Sequence, residues 1–344
     1  MCTNETGQVH SWSRTSVLIK YRKLRVTVSY CTRTVSVTDQ ASLVVTSSVS
    51  LLCHLFSVCA KAKTRFMELS GRGVFLTGGA QGIGRAITTA LLDKGAKVLF
   101  CDVNADIGKA TEAELQKQCG ADNVMFQQCD VTNADQLKAA FDQAVTKFGA
   151  VEICCNNAGI MDETIWEKML AINTTAQIRG SQIALDHMRR DKGGRGGVIV
   201  NTVSIAGLLP GHELPVYIAS KHAMIGYTTS CARDPEVAGQ GVRWCCLCPM
   251  PVNTGMLQLK EGQVKTADQF MQKMQPLMIE PEDVVKAFMT LVQDTENNGS
   301  MMVVNKVQGG VYKRRMLVDD DGQSNPMLID NPLTAHPPVP GPSQ

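Results

Sequence analysis

Residues Phe75 to Ile87 read FLTGGAQGIGRAI, and the spacing of glycine in this stretch decides the fold. Gly78, Gly79, Gly82 and Gly84 fall within seven residues, after the apolar run Val74 to Leu76 and before a helix-like segment, Ala86 to Lys94. Glycine lets a chain turn tightly and approach a pyrophosphate, and the helix that follows offers free N–H groups and a positive dipole end to that anion. A plain strand–helix turn rarely needs three glycines spaced as Gly78, Gly82 and Gly84. The stretch therefore predicts a dinucleotide-binding loop.

Outward from the loop, strand-like and helix-like patterns alternate. Apolar runs fall at Val74–Thr77, Lys97–Cys101, Val124–Gln128, Val151–Cys155, Gly197–Thr202, Gly241–Leu247 and Ser300–Val304. Segments with helical spacing lie between them, among them Ala134–Phe148 and Ile165–Met188. Near-continuous apolar strands separated by helices imply a parallel sheet covered on both faces. The expected fold is α/β: one doubly wound, Rossmann-type domain with about seven strands, binding its ligands at the strands' carboxyl ends.

The 344 residues are 44% hydrophobic and 19% charged, ordinary for a globular chain with a core of normal size. A net charge of only +2 implies neither a nucleic-acid nor a membrane partner. That charge is uneven. Residues 1–66 carry nine Lys and Arg against two acids, an excess of +7 that leaves −5 for the remainder. This leader is rich in Ser, Thr and Val and is expected to be a disordered extension. Its run 42–60 holds twelve apolar residues but also six hydroxyls and His54, which makes a poor membrane span. The expected domain is 67–312, and 313–344, ending in HPPVPGPSQ, reads as a disordered tail. The thirteen cysteines are scattered, several inside apolar runs, as for Cys154 and Cys155. They read as buried small hydrophobes, Cys245 and Cys248 of the single CxxC included, and free thiols point to a reducing, cytoplasmic setting. The six histidines show no metal-ligand spacing, so no metal is expected.

Asp102 ends the second strand, 24 positions after Gly78. A carboxylate there accepts hydrogen bonds from both ribose hydroxyls and repels a 2′-phosphate. Neither Val103 nor Gln81 supplies the positive charge that a 2′-phosphate requires, so the expected cofactor is NAD, not NADP. Further along, PVYIASKHA sets Tyr217 four residues before Lys221, on one face of a helix. An ammonium beside a phenol favours phenolate, and the charge of bound NAD adds to that effect, making Tyr217 a candidate base. Ser204 lies thirteen residues upstream in NTVSIAG, NNAG (Asn156 to Gly159) follows the fourth strand, and Asn173 lies in WEKMLAIN.

Taken in order, these motifs resemble the short-chain dehydrogenase/reductase family across about residues 67–312. The blocks AQGIGRA, LLDKGAKV, QCDV, IWEKMLAIN, GLLPG, PVYIASKH and VNT further resemble its NAD-dependent 15-hydroxyprostaglandin dehydrogenases. Met67 stands where that group's initiator is expected. The resemblance implies that Gly78, Gly79, Ala80, Gln81, Gly82, Ile83, Gly84 and Arg85 hold the pyrophosphate, and Asp102 and Val103 the adenosine ribose. Cys129, Asp130 and Val131 would flank the adenine, Asn157 the nicotinamide side, and Val252, Asn253 and Thr254 the carboxamide. Tyr217 would take the hydroxyl proton, Ser204 would orient that hydroxyl, Lys221 would bind the nicotinamide ribose, and Asn173 would hold a relay water. A homodimer pairing through the helices of Asn173 and Tyr217 is also implied.

The resemblance departs at two positions. The family carries Pro-Gly after the sixth strand, and here Pro249 is followed by Met250, which is expected to narrow the pocket. The prostaglandin enzymes carry glutamine just before PVY as a substrate contact, where this chain has Leu214. The expected substrate is a lipid alcohol: a prostaglandin or hydroxylated fatty acid, with a steroid or retinoid as the alternative. Gly255 to Met278 is the expected cover, with Met256, Leu257, Leu259, Met271, Met274 and Met278 as candidates for an acyl-chain lining, against an equal reading as ordinary core. A cofactor-binding protein that acts by interaction rather than turnover is the rival from another class.

Overall fold

The structure, a computed structural model, describes residues 13–21, 24–32, 66–260, 262–313, 317–318 and 324–325. The chain divides into two compact units, Met1–Ala62 and Lys63–Gln344. In the first, an antiparallel hairpin pairs β1 (Ser13–Tyr21) with β2 (Leu24–Thr32). The apolar run 42–60 and the Pro-rich end of the chain lie outside the described residues.

The second unit is built on an eight-stranded sheet. Its strands are β3 (Gly73–Thr77), β4 (Lys97–Asp102), β5 (Val124–Gln128), β6 (Ile153–Asn156), β7 (Gly197–Thr202), β8 (Val242–Pro249), β9 (Ser300–Asn305) and β10 (Gly309–Lys313). The spatial order is β10-β9-β8-β7-β6-β3-β4-β5. All pairings are parallel except that of β10 with β9. The doubly wound fold stands as expected, with one strand more. β10 is short and opens on Gly309-Gly310, so it carries almost no apolar signal. It forms because Asn305 Oδ1 accepts from the N–H groups of Val307 and Gln308, at 3.0 and 2.7 Å, and closes a hairpin.

The connecting helices are α1 (Gly82–Asp93), α2 (Ala105–Cys119), α3 (Ala134–Phe148), α4 (Trp166–Leu170), α5 (Gln177–Met188), α6 (Pro215–Cys231), α7 (Pro235–Gly239), α8 (Ala267–Met274) and α9 (Pro281–Gln293). Among the described residues no helix is long and apolar enough to cross a membrane. Side chains alternate across each strand, so the sheet feeds two cores. Val74, Leu76, Val98 and Phe100 pack towards Ile87 and Leu91 of α1 and Phe288 and Leu291 of α9. Phe75, Leu99 and Cys154 face Leu137 and Phe141 of α3 and Ala184 of α5. Phe75 and Phe141 meet edge to face at 5.2 Å, an arrangement worth about 0.5–1.5 kcal/mol beyond the area it buries. Cys245, Cys246 and Cys248 lie fully buried on β8, as expected of small hydrophobes.

The chain runs outward from β3 to β4 and β5, then returns to β6 on the other side of β3. At that reversal the loops after β3 and β6 part and leave a crevice above the strands' carboxyl ends. A buried polar network holds its floor: Asn156 Nδ2 donates to Ser181 Oγ (2.9 Å) and Asn201 Oδ1 (2.8 Å), and Asn201 Nδ2 donates to Thr228 Oγ1 (2.9 Å).

Candidate active site

The crevice opens into one continuous cleft of about 680 Å³. At its dinucleotide end, Gly78 has φ +67, a left-handed conformation that costs a side chain dearly. A Cβ on Gly84 would overlap the Gly78 carbonyl oxygen and stand 2.6 Å from Asn157 Nδ2. The loop is thus folded back on its own helix. α1 begins with no side-chain cap and no acid in its first turn, whereas α2 and α3 are capped by Asn104 and Asn133 and carry Asp106 and Asp135 there. Its orphan N–H groups and dipole remain available to an anion, so the cradle fits a dinucleotide pyrophosphate. Gly84→Ala is expected to cost about 1–3 kcal/mol of stability by overpacking. It should also abolish the rise in melting temperature on adding NAD, which thermal unfolding with and without the dinucleotide measures.

Asp102 stands at the end of β4, lining the cleft, where Oδ2 accepts the Ala80 N–H (3.2 Å) and Oδ1 the Asn104 N–H (3.2 Å). It thereby fastens the glycine loop, a duty that the motif alone does not reveal. Val103 beside it is 64% exposed. Cys129, Asp130 and Val131 line the same end, with the Cys129 N–H on the Asp102 carbonyl oxygen (2.9 Å). Asn157 Nδ2 donates to the Thr77 and Gly78 carbonyl oxygens (3.1 and 3.0 Å), tying β6 to the loop. Val252 and Thr254 also line the cleft. Two residues expected in this shell turn their side chains elsewhere. Arg85 pairs with Glu114 at 2.6 Å, and Asn253 Nδ2 reaches Glu280 at 3.3 Å. Each finds a carboxylate on a neighbouring segment, which no local motif reveals.

At the centre, Tyr217 and Lys221 occupy successive turns of α6 and are both buried. Lys221 Nζ lies 5.5 Å from the Tyr217 ring centroid and donates to the Thr202 carbonyl oxygen at 3.2 Å. Burial raises the Tyr217 phenol to about 12, partly offset by a hydrogen bond with the Ser204 hydroxyl. Burial also lowers the Lys221 ammonium to about 8, a nearby Cys248 thiol acting the other way. The expected depression of the phenol by Lys221 is therefore not met by the protein's own groups. Desolvation is the largest cause of both shifts, and both side chains are pushed towards their neutral forms. Ser204 follows β7 and accepts the Ala206 N–H (3.1 Å) at the start of a short 3-10 turn.

Asn173 is wholly buried and clasps the loop after β6. Its Oδ1 accepts the Ile160 N–H and its Nδ2 donates to the Ile160 carbonyl oxygen, both at 2.9 Å, and Nδ2 also reaches Ser220 Oγ at 3.3 Å. The segment expected as one helix, Ile165–Met188, widens into a π-helical stretch at Ala171–Ala176 around this residue. Such a widened turn re-aims backbone groups and recurs at functional sites. Gly159 joins the two buried polar groups: a Cβ there would stand 3.3 Å from Asn173 Oδ1 and 3.5 Å from Lys221 Nζ.

Sequence reasoning missed Glu163. Leu214, at the N-cap of α6, has no capping side chain, and Glu163 serves from another segment. Its carboxylate accepts the N–H groups of Val216 (3.2 Å) and Tyr217 (2.9 Å). The helix that carries the phenol is thus positioned by a residue 54 positions away, with no local signal to mark it.

Beyond Tyr217 the cleft is apolar. Leu214 is buried against Met161, Met169, Val264 and Phe270. Of the expected acyl-chain candidates, Met256, Leu257 and Met274 line the cleft, while Leu259 and Met271 pack behind it against that cluster. Met250 lines the cleft while its side chain packs back on the core beside α1, its N–H on the Val304 carbonyl oxygen (2.9 Å). Side chains and backbone tie the cover down, with the Glu163 N–H on the Gln263 carbonyl oxygen at 2.9 Å. Gln263 Nε2 donates to Asp162 Oδ2 (2.8 Å), and Lys273 of α8 pairs with Glu213 (2.6 Å), which holds the Glu213 carboxyl below its usual range.

A glycine cradle open to an anion, joined to buried Tyr217, Lys221 and Asn173 with half-buried Ser204 and an apolar cleft on a doubly wound sheet, defines a dinucleotide-linked oxidoreductase site. The family described as short chain dehydrogenase matches residues 72–265, and the chain belongs to that family. It is 38% identical over 250 residues to the human 15-hydroxyprostaglandin dehydrogenase [NAD(+)], covering 71% of this chain and 94% of that enzyme. The mouse protein of the same name is 35% identical over 276 residues, 78% of this chain and the whole of that enzyme. Both relatives are named for NAD(+), the dinucleotide that Asp102 and the glycine cradle suit. A short-chain type dehydrogenase/reductase from Mycobacterium marinum shares the fold, with a TM-score of 0.60, 24% identity, and coverage of 69% of this chain and 94% of that one.

Proposed function

We propose that this protein oxidises the secondary alcohol of a hydroxylated lipid to a ketone with NAD, and that the substrate is the 15-hydroxyl of a prostaglandin or a related hydroxylated fatty acid. One observation carries the reading: Tyr217, Ser204 and Lys221 stand where the dinucleotide cradle meets an apolar cleft. In this reading the cradle of Gly78 to Gly84, with Asp102 and Val103, holds the cofactor. Bound NAD supplies the acceptor for the carbinol hydride. Tyr217 Oη takes the hydroxyl proton, and Ser204 Oγ holds the alcohol oxygen towards it. Lys221 adds positive charge beside the phenol, and Asn173 holds a water in the proton relay. Leu214, Phe270 and Met274 exclude water around the reacting carbon.

Support for the substrate class comes from relatives of that name covered along nearly their whole length, and from the apolar cleft. Nine described cysteines are all free, which suits work in the cytoplasm. Pairing as a homodimer through α5 and α6 belongs to the same reading, and light scattering tests it. The function is tested by NAD reduction with a prostaglandin, a hydroxyeicosatetraenoic acid, a steroid alcohol and retinol. Turnover of the first two is the expected result. Turnover of the steroid or retinol alone would move the assignment to those alcohols, and turnover of none would favour a protein that acts by interaction.

A further inference from the structure

The charges that line the cleft are few, and all but one are engaged. Glu213 is paired with Lys273. Asp102 holds two backbone N–H groups, and Asp130 holds the Thr132 N–H (2.9 Å) and hydroxyl (2.8 Å). Of the two lysines that line it, Lys221 is buried on the Thr202 carbonyl oxygen. The other, Lys168 of α4, is exposed, and its ammonium makes no hydrogen bond or ion pair among the described residues. Its chain neighbour Glu167 does not share its helix face, and Glu163, five positions back, is committed to the first turn of α6.

The surroundings of this lysine are unusual for a solvated charge. Four large hydrophobic side chains that line the cleft are substantially exposed: Ile165 at 43%, Leu209 at 56%, Met256 at 45% and Leu277 at 42%. They form an apolar rim around an apolar cleft. One uncommitted cation stands at that rim, one turn along from Ile165. A wholly neutral lipid leaves the cation without use, whereas an amphipathic one places its chain in the cleft and its anionic end on the ammonium.

We propose that Lys168 is a specificity-determining residue that receives the carboxylate of an acidic lipid substrate at the mouth of the cleft. The proposal rests on the reading of this cleft as the alcohol-oxidising site and deepens it: the preferred ligand is a long-chain hydroxy acid, not an ester, steroid or retinoid. In this reading Lys168 meets only the anionic end of the substrate and takes no part in the proton or hydride step, so its effect falls on binding and on KM, with kcat unchanged.

The test uses the full chain with NAD bound, and as probes a hydroxyeicosatetraenoic acid and its methyl ester. Binding is measured by calorimetry and turnover by NADH formation, for the wild type, Lys168→Gln and Lys168→Arg. The wild type is expected to bind the acid about three- to fivefold more tightly than the ester, the range of a partly exposed ion pair. Lys168→Gln should remove that ratio while leaving the ester unchanged, and Lys168→Arg should retain it. The ratio should also collapse at about 1 M salt, where the screening length is about 3 Å. Equal binding of acid and ester by the wild type, or an unchanged ratio in Lys168→Gln, overturns the proposal. Preferential binding of the acid without NADH formation from either probe would uphold the carboxylate site and sink the alcohol-oxidising reading, so the two failures are distinguishable.

Discussion

Replacing Tyr217 by phenylalanine is expected to lower kcat by about 10²–10⁴-fold, the usual worth of a general base, and to leave NAD affinity within about twofold. The substitution removes one oxygen and keeps the ring that packs against Met161, Leu214 and Phe270, so the fold should persist. In the proposed reading dinucleotide binding draws on the glycine loop and Asp102, which the substitution leaves untouched. The buried phenol stands at about 12 in the protein alone, so a general base must gain charge stabilisation from Ser204, Lys221 and the cationic ring of the cofactor. Activity of the Phe variant above about a tenth of wild type, measured by NADH formation at saturating cofactor, would remove Tyr217 from the base's role.

The second large effect concerns the choice of dinucleotide. Asp102→Ala combined with Val103→Arg is expected to shift the ratio of kcat/KM for NAD over NADP towards NADP on the order of a hundredfold, two decades corresponding to about 2.7 kcal/mol. Two causes act together. Loss of the carboxylate removes the repulsion of a 2′-phosphate, and the guanidinium offers it a bidentate partner. Val103 is exposed enough to accept the longer side chain without repacking. Because Asp102 also holds the Ala80 N–H, the double variant should lose activity with both dinucleotides, and Asp102→Ala alone serves as the control for that cost. An unchanged ratio, from initial rates with each dinucleotide, would place the ribose away from Asp102.

The parts of the site legible in the sequence are those made by short spacings. The glycines of the loop, Asp102 at the end of the next strand, and Tyr217 four residues before Lys221 each owe their geometry to one element and its neighbour. The structure brings them into one cleft. What escaped the sequence is made by contacts between distant segments. Glu163 caps the helix of Tyr217 across 54 positions, and Gln263 tethers the cover to Asp162 across 101. The widened turn at Ala171–Ala176 carries Asn173, whose three hydrogen bonds with Ile160 and Ser220 leave no mark on helical periodicity. The Tyr217 phenol shows a related limit: the spacing shows the charge of Lys221 but not the burial that raises the phenol and lowers the ammonium.

The account's central claim is that this cleft moves a hydride from a lipid carbinol to NAD. Its most direct test is incubation of the purified protein with NAD and a hydroxyeicosatetraenoic acid carrying deuterium on the carbinol carbon, followed by mass analysis of the dinucleotide and the lipid. The predicted result is one deuterium on the reduced dinucleotide for each ketone formed, and none of either with Tyr217→Phe on the same timescale. Lipid recovered as alcohol with its deuterium in place, or ketone formed while the dinucleotide stays unlabelled, would contradict it.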